Sequence, residues 1–201
     1  MLRRRAAMNA ESAGAVAAAR MLAEQLLADL PDRLQHSRCV ALRAAELSAV
    51  AAHQEHLLIA AAWLHDIGYA PPLRDTGFHP LDGANYLTGH GITTAVADLV
   101  AHHSGARFVA EVRGLSEPLA RYRFEQNELT DALTYADQTI GPDGGRIALA
   151  DRIAEVLTRH GPDSPNVRAR ARREPYLYAA AARVEQRLAG PNASGQGLGP
   201  G

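Results

Sequence analysis

Seven residues of the types that bind metal ions are spread between positions 36 and 137. In chain order they are His36, the dipeptide His65-Asp66, His79, the pair His102-His103 and Asp137. Imidazole and carboxylate together suit Mn, Fe, Co, Ni or Zn, and a set without thiolates argues against a structural zinc site. Long, unequal intervals indicate a site assembled from several helices, as in metal-bearing helical bundles. The set predicts a metal centre with nitrogen and oxygen ligands.

The dipeptide His65-Asp66 ends an apolar helical pattern. Ala- and Leu-rich sequence precedes it, and Gly68 and the pair Pro71-Pro72 follow it and stop a helix. Burying such side chains without partners costs roughly 1–3 kcal/mol per unsatisfied group and more for a charge. A metal ion compensates most completely. A salt-bridged His-Asp pair is the alternative, and the dipeptide alone favours it.

The elements that must position these residues are helices. Apolar residues recur at three- and four-residue steps along most of the chain, and no stretch shows the period-two alternation of a strand. The second helical pattern carries an apolar stripe from Val40 to Ala51, and His36 falls on it, so its ring is expected to point inward. Pro31 is expected to end the first helix, with Asp32 as the N-cap of the next. The predicted fold class is all-α.

Composition excludes several other classes of protein. The 201 residues suffice for one sizeable domain, and the formal net charge of −1 argues against a nucleic-acid polymer or a membrane surface as partner. The single cysteine, Cys39, excludes a disulfide framework. No apolar run is long enough to span a membrane, and the N-terminus lacks the apolar core of a signal peptide. A cytoplasmic protein is expected.

The ordered set resembles a known signature. The series His36…His65-Asp66…Asp137 is similar to that of the HD-domain superfamily of metal-dependent phosphohydrolases, which are all-helical. The fragment His65-Asp66-Ile67-Gly68 resembles its HDIG variant. The histidines at 79, 102 and 103 resemble the additional ligands of binuclear members, such as bacterial dinucleoside-tetraphosphate hydrolases and cyclic-di-GMP phosphodiesterases. The resemblance covers about residues 33–140.

This resemblance implies an HD-domain-like helical bundle. Residues 1–30 are expected to form an N-terminal helix, and residues 31–140 the metal-binding core. Helices over residues 141–189 would complete the same domain. The Gly- and Pro-rich residues 190–201 are expected to be a disordered C-terminal tail.

The resemblance also implies roles for the ligands. A first metal would be held by His36, His65, Asp66 and Asp137. Asp66 would bridge to a second ion held by His79, His102 and, as a further ligand, His103. Two divalent transition-metal ions (Fe, Mn, Co, Ni or Zn) about 3.5–4 Å apart can activate a water and neutralise phosphoryl oxygens. Asp66 and His103 are the expected catalytic residues.

The implied function is hydrolysis of a phosphoester or phosphoanhydride in a small phosphorylated molecule, a nucleotide or dinucleotide. Tyr69 stands where the cyclic-di-GMP phosphodiesterases carry a lysine, and their Gly-Tyr-Pro motif is missing, which argues against that substrate. Arg33 and Arg107 are the expected substrate-binding residues, because a guanidinium fork suits phosphate. A di-iron HD-domain oxygenase and a catalytically silent metal-binding sensory module remain alternatives. A homodimer is left open.

Overall fold

The computed structural model describes residues 2–51 and 53–190, and the side chains of residues 10–51, 53–159 and 161–190. This part of the chain is helical and forms no strand, apart from an isolated bridge between Ile140 and Arg146. The all-α prediction is therefore confirmed. The expected disordered tail lies, except for Gly190, outside the described residues.

The described helices follow one another with short connections. They are α1 Leu2–Leu26, α2 Pro31–Glu46, α3 Glu55–Leu64, α4 His79–Gly89, α5 Thr94–His102, α6 Ala106–Arg113, α7 Ser116–Leu119, α8 Glu128–Gln138, α9 Leu149–His160, α10 Pro165–Arg168 and α11 Arg170–Ala189. Single 3-10 turns occupy Ser48–Val50, Ile67–Tyr69, Pro71–Leu73 and His103–Gly105. None of the helices within the described ranges has the length and apolar character needed to cross a membrane.

Helix α3 lies at the centre of the bundle. Leu58 and every residue from Ala60 to Leu64 are buried, and α1, α2, α5 and α8 pack around the helix. A helix that is apolar on all sides is stable only when neighbours cover it. The C-terminal end of α3, where His65 and Asp66 follow, is consequently held inside the protein.

The junction between α1 and α2 differs from the expectation. Helix α1 ends at Leu26, and Pro31 is the first residue of α2 instead of the end of α1. Proline suits this position because its fixed φ matches the helix and its missing N–H would have had no partner there. Asp32 lies in the first turn, where a carboxylate favours the helix dipole, and no side chain caps α2. The prediction of Asp32 as N-cap was wrong.

Helix α11 is fastened to α8 by a buried carboxylate. Asp131 of α8 is fully buried, and it accepts hydrogen bonds from Arg183 Nε at 2.8 Å and from Arg187 Nη1 at 2.9 Å. Tyr135 of α8 also donates a hydrogen bond to Glu185 of α11. The C-terminal helix thereby gains a fixed position next to the helix that carries Asp137.

Candidate metal centre

Six of the seven predicted ligands converge in two neighbouring groups. The first group is His36, His65 and Asp137, and the second is Asp66, His79 and His103; within each group the ligand atoms lie within 4.8 Å of one another. The side chains come from α2, the end of α3, the first residue of α4, the turn after α5 and the last turn of α8. The buried ends of several helices therefore meet at one place.

The first group has the spacing of ligands around one ion. His36 Nε2 lies 3.0 Å from Asp137 Oδ1, and His65 Nε2 lies 3.8 Å from the same oxygen. Ligands about 2.0–2.2 Å from a common ion lie about 3–4 Å from one another. The three side chains are nearly fully buried.

The second group has the same spacing, and Asp66 joins it to the first. His79 Nε2 lies 3.2 Å from His103 Nε2 and 3.4 Å from Asp66 Oδ1. Asp66 Oδ1 is also 3.5 Å from His65 Nε2. One carboxylate oxygen thus faces a ligand nitrogen from each group, which is the position of a bridging ligand.

The hydrogen bonds of three rings leave their Nε2 atoms without protons in the neutral form. The Nδ1 atoms of His36, His65 and His103 lie 2.6–2.9 Å from the backbone carbonyl oxygens of Gly141, Ala62 and Val100 respectively. A carbonyl oxygen only accepts, so each Nδ1 carries the proton and each Nε2 presents a lone pair.

These lone pairs point at other acceptors. His36 Nε2 faces the Asp137 carboxylate, and the buried His65 Nε2 has no hydrogen-bond partner among the described residues. Acceptors that face one another in a buried site need a shared cation or proton between them. This arrangement fits a metal centre.

Titration favours ionised carboxylates and, at His79 and His103, neutral rings. At His36, by contrast, burial is outweighed by the hydrogen bond to Asp137 and the charge of that carboxylate, which raise the pKa. Burial alone would raise the pKa of Asp66 and of Asp137, but the neighbouring histidines, and Arg33 beside Asp66, hold both well below the usual range. Burial lowers the pKa of His103 to about 4, helped by His65, and burial lowers that of His79 as well. Such rings are poor sites for a proton and good sites for a metal ion.

Asp137 is oriented by neighbours that leave its other oxygen facing the site. Its Oδ2 accepts hydrogen bonds from Ser104 Oγ and from Gln138 Nε2. Ser104 lies at a positive φ of 51° in the turn after His103. A non-glycine residue with a positive φ is uncommon, and its presence here indicates a functional constraint on the turn. The turn places His103 and Ser104 on the same side of the site.

His102 does not join either group. Its Nε2 lies 2.9 Å from the carbonyl oxygen of Tyr122, and its ring packs edge-on against Phe124. His102 is the last residue of α5 and His103 is the first beyond it, so the two side chains leave the backbone in different directions. The expected role of His102 as a metal ligand conflicts with this geometry.

The two predicted substrate-binding arginines are in different places. Arg33 Nη1 lies 3.1 Å from Asp66 Oδ2, and its guanidinium lies over the ring of Tyr69. Arg107 instead lies between the rings of Phe108, Phe124 and Tyr176 and does not line the cavity at the metal-binding residues. The expectation for Arg107 conflicts with this geometry, because its side chain is engaged by aromatic rings.

An arginine-lined cavity of about 270 Å³ opens beside the two groups. Besides Arg33, its wall carries Arg113 of α6, Arg152 and Arg159 of α9, and Arg173 of α11. Sequence reasoning missed these four. A signal for two of them was present, because Arg152 and Arg159 are seven residues apart and so lie on one face of a helix.

Two His/Asp groups that could each hold a metal ion lie within an all-helical bundle, which defines the class as a helical domain with a candidate metal centre. The family model described as HD domain matches residues 33–156, well over half of the chain. The chain belongs to the HD-domain family, whose members are generally metal-dependent phosphohydrolases. No curated protein and no solved structure matches it.

Proposed function

We propose that this protein is a binuclear metal-dependent phosphohydrolase that acts on a small phosphorylated molecule, a nucleotide or dinucleotide. One observation carries the proposal: two adjacent groups of buried ligands, joined by Asp66, open into a cavity walled by arginines. The ligands suit first-row divalent ions, and the arginines suit phosphoryl oxygens.

The roles of the residues follow from their positions. His36, His65 and Asp137 would hold one ion, His79 and His103 the other, and Asp66 would contact both. Bound divalent ions would lower the pKa of a water molecule and offset the negative charge of the phosphoryl group.

Arg33 and Tyr69 form the side of the cavity next to Asp66. Arg33 lies over the Tyr69 ring and beside the carboxylate, so its remaining N–H groups can orient a phosphoryl oxygen. A tyrosine hydroxyl keeps its proton at neutral pH, and burial, together with Asp66, raises the pKa of Tyr69 further, to about 12. The hydroxyl can therefore donate a hydrogen bond to the substrate, at the position where the cyclic-di-GMP phosphodiesterases carry a lysine.

The arginine wall favours an enzyme that binds a phosphorylated molecule over a silent sensory module, which has no need of guanidinium groups around its metal ligands. An oxygenase differs from a hydrolase in needing dioxygen. Phosphate release under strictly anaerobic conditions separates the classes, because hydrolysis proceeds there and oxygenation stops.

The test combines metal analysis with an assay on a panel of nucleotides and dinucleotides, in which released phosphate and nucleotide products are both measured, repeated with Mn, Fe, Co, Ni and Zn. Asp66→Ala is expected to lose metal and to lower phosphate release by about 100-fold or more, because the residue contacts both groups. Asp98→Ala is the matched control, because Asp98 accepts a hydrogen bond from the Arg123 backbone outside the cavity.

Two results would contradict the proposal. One is an Asp66→Ala protein that keeps both metal and activity. The other is a metal-loaded wild-type protein that converts no compound of the panel into a hydrolysis product.

A further inference from the structure

The metal-binding residues do not explain why so many arginines line the cavity. Arg33 lies beside Asp66, but Arg152, Arg159 and Arg173 belong to α9 and α11, beyond the segment that carries the ligands. Arg173 nevertheless reaches the centre, because its Nε donates a hydrogen bond at 2.8 Å to the carbonyl oxygen of Ser104, whose hydroxyl contacts Asp137. Cationic groups therefore stand next to both metal-binding carboxylates.

The carboxylates of the cavity do not balance these cations. Arg152 and Arg159 share the single carboxylate of Glu155. Arg173 forms no ion pair within the described part of the chain, and neither does Arg113, which is exposed and donates to the backbone oxygens of Thr76 and Gly77. A partly buried guanidinium such as that of Arg173 is costly without a carboxylate unless another anion accompanies it.

The sum of charges gives the size of the imbalance. Five guanidinium groups line the cavity, and the carboxylates that contact them or line it are Asp66, Asp137 and Glu155. The wall thus has an excess of two positive charges before any metal ion is counted. A phosphate monoester carries at most two negative charges, and bound metal ions alone would neutralise them. The excess positive charge of the wall would then have no counterpart. The arginines of α9 and α11 consequently require additional anionic charge.

We propose that Arg152, Arg159 and Arg173 hold a second phosphate group, so that the substrate is a compound with a chain of two or more phosphates. The inference rests on the proposed function for the identity of the reacting group. The reacting phosphoryl group would lie against the metal-binding residues and Arg33, and the next phosphate of the chain against α9 and α11. A cavity of about 270 Å³ is at the small end of ligand pockets, which suits a short phosphate chain whose organic part extends outside.

The test measures binding without metal, so that it does not depend on catalysis. Metal-free full-length protein, prepared with a chelator and then dialysed, is titrated calorimetrically with inorganic tripolyphosphate and with inorganic phosphate. Wild-type protein is expected to bind tripolyphosphate at least tenfold more tightly than phosphate, and the preference should weaken as salt is raised.

Two variants assign this binding to the wall. Arg173→Gln and Arg159→Gln are each expected to lower the affinity for tripolyphosphate by about tenfold, since each removes a charge-assisted contact. Arg121→Gln is the matched control, because Arg121 is exposed and donates only to the Pro118 carbonyl, outside the cavity. Arg159 is partly exposed, so its variant reports on binding even if Arg173→Gln fails to fold.

The proposal is overturned if wild-type protein binds tripolyphosphate no better than phosphate, or if folded Arg159→Gln and Arg173→Gln both bind it like wild type. Either result alongside measured phosphate release would leave a hydrolase of monoesters. Tight binding with no hydrolysis would support the arginine site and contradict the proposed enzyme.

Discussion

The pKa of His103 differs between the folded protein and the unfolded chain. In the folded protein burial lowers its pKa to about 4, whereas an unfolded chain binds the proton near pH 6.5. Between these values the unfolded state holds more protons, so metal-free protein is expected to lose stability as the pH falls from 6.5 toward 4. One such histidine contributes a loss of about 2 kcal/mol between pH 7 and 5. Urea denaturation of the metal-free protein at the two pH values measures it.

A pair of variants isolates the contribution of His103. His103→Asn is expected to reduce the pH-dependent loss by about 2 kcal/mol. His90→Asn, in the exposed turn after α4, should leave the loss as it is in wild type. An unfolding free energy that stays level between pH 7 and 5 in the wild-type protein would contradict the assignment.

At the residue scale, the sequence predicted which side chains meet but not all of their neighbours. The intervals between His36, His65-Asp66, His79 and Asp137 correspond to helix ends that converge, and the structure brings these residues together with His103. His102 could not be separated from His103 by sequence, because the end of α5 between them decides which ring faces the site. Their roles as ligands stay predictions until metal is measured.

At the scale of elements, the approach of α4 to the end of α3 depends on one missing side chain. A Cβ atom on Gly68 would lie 2.1 Å from the carbonyl oxygen of His79 and 2.7 Å from the Gly83 nitrogen. Since these atoms are backbone, the helix itself must move. Gly68→Ala is expected to lower the free energy of unfolding by about 2–3 kcal/mol and to weaken metal retention, because His79 begins α4.

Gly89→Ala provides the comparison within the same helix. Gly89 is the last residue of α4, and nothing lies within 4 Å of the Cβ position. Alanine there is expected to keep or raise stability, by at most about 1 kcal/mol, since it favours the helix. Urea denaturation and metal content of both variants decide the matter. Equal stability in the two proteins would show that α4 and the turn at Gly68 can separate without cost.

The helices were largely predictable because their apolar periodicity is strong, whereas their junctions were not. From the sequence, Pro31 could mark the end of one helix or be the first residue of the next. Only the packing of α2 selects the second position. The division of the chain at residues 30, 140 and 189 stays a prediction. The HD-domain match extends to residue 156 and so includes the first two thirds of α9.

At the scale of the whole molecule, Asp131 connects the C-terminal helix to the bundle. Its carboxylate is fully buried and binds two arginines of α11, both partly exposed. Asp131→Ala is expected to lower the free energy of unfolding by about 3 kcal/mol, because both guanidinium groups lose their buried partner. Glu185→Ala, which removes an exposed contact between the same two helices, should cost less than about 1 kcal/mol. Similar values for the two variants would mean that α11 is held by apolar packing alone.

The arginines of α9 and α11 could not be assigned from sequence, because the chain contains 21 basic residues and most of them face solvent in any reading. Arg173 is 36 residues beyond Asp137, and no local pattern connects the two. Their meeting depends on how α11 packs on α8, which is a property of the folded molecule.

The groups that would hold the ions and the groups that would bind the rest of the ligand come from successive stretches of one chain, and hydrogen bonds at Asp131 and Ser104 are among the contacts that join them. Substitutions in the last three helices could therefore alter which anion is accepted while the reacting centre stays intact. The anion preference of the proposed enzyme could then be changed by substitutions in α9, α10 and α11 alone.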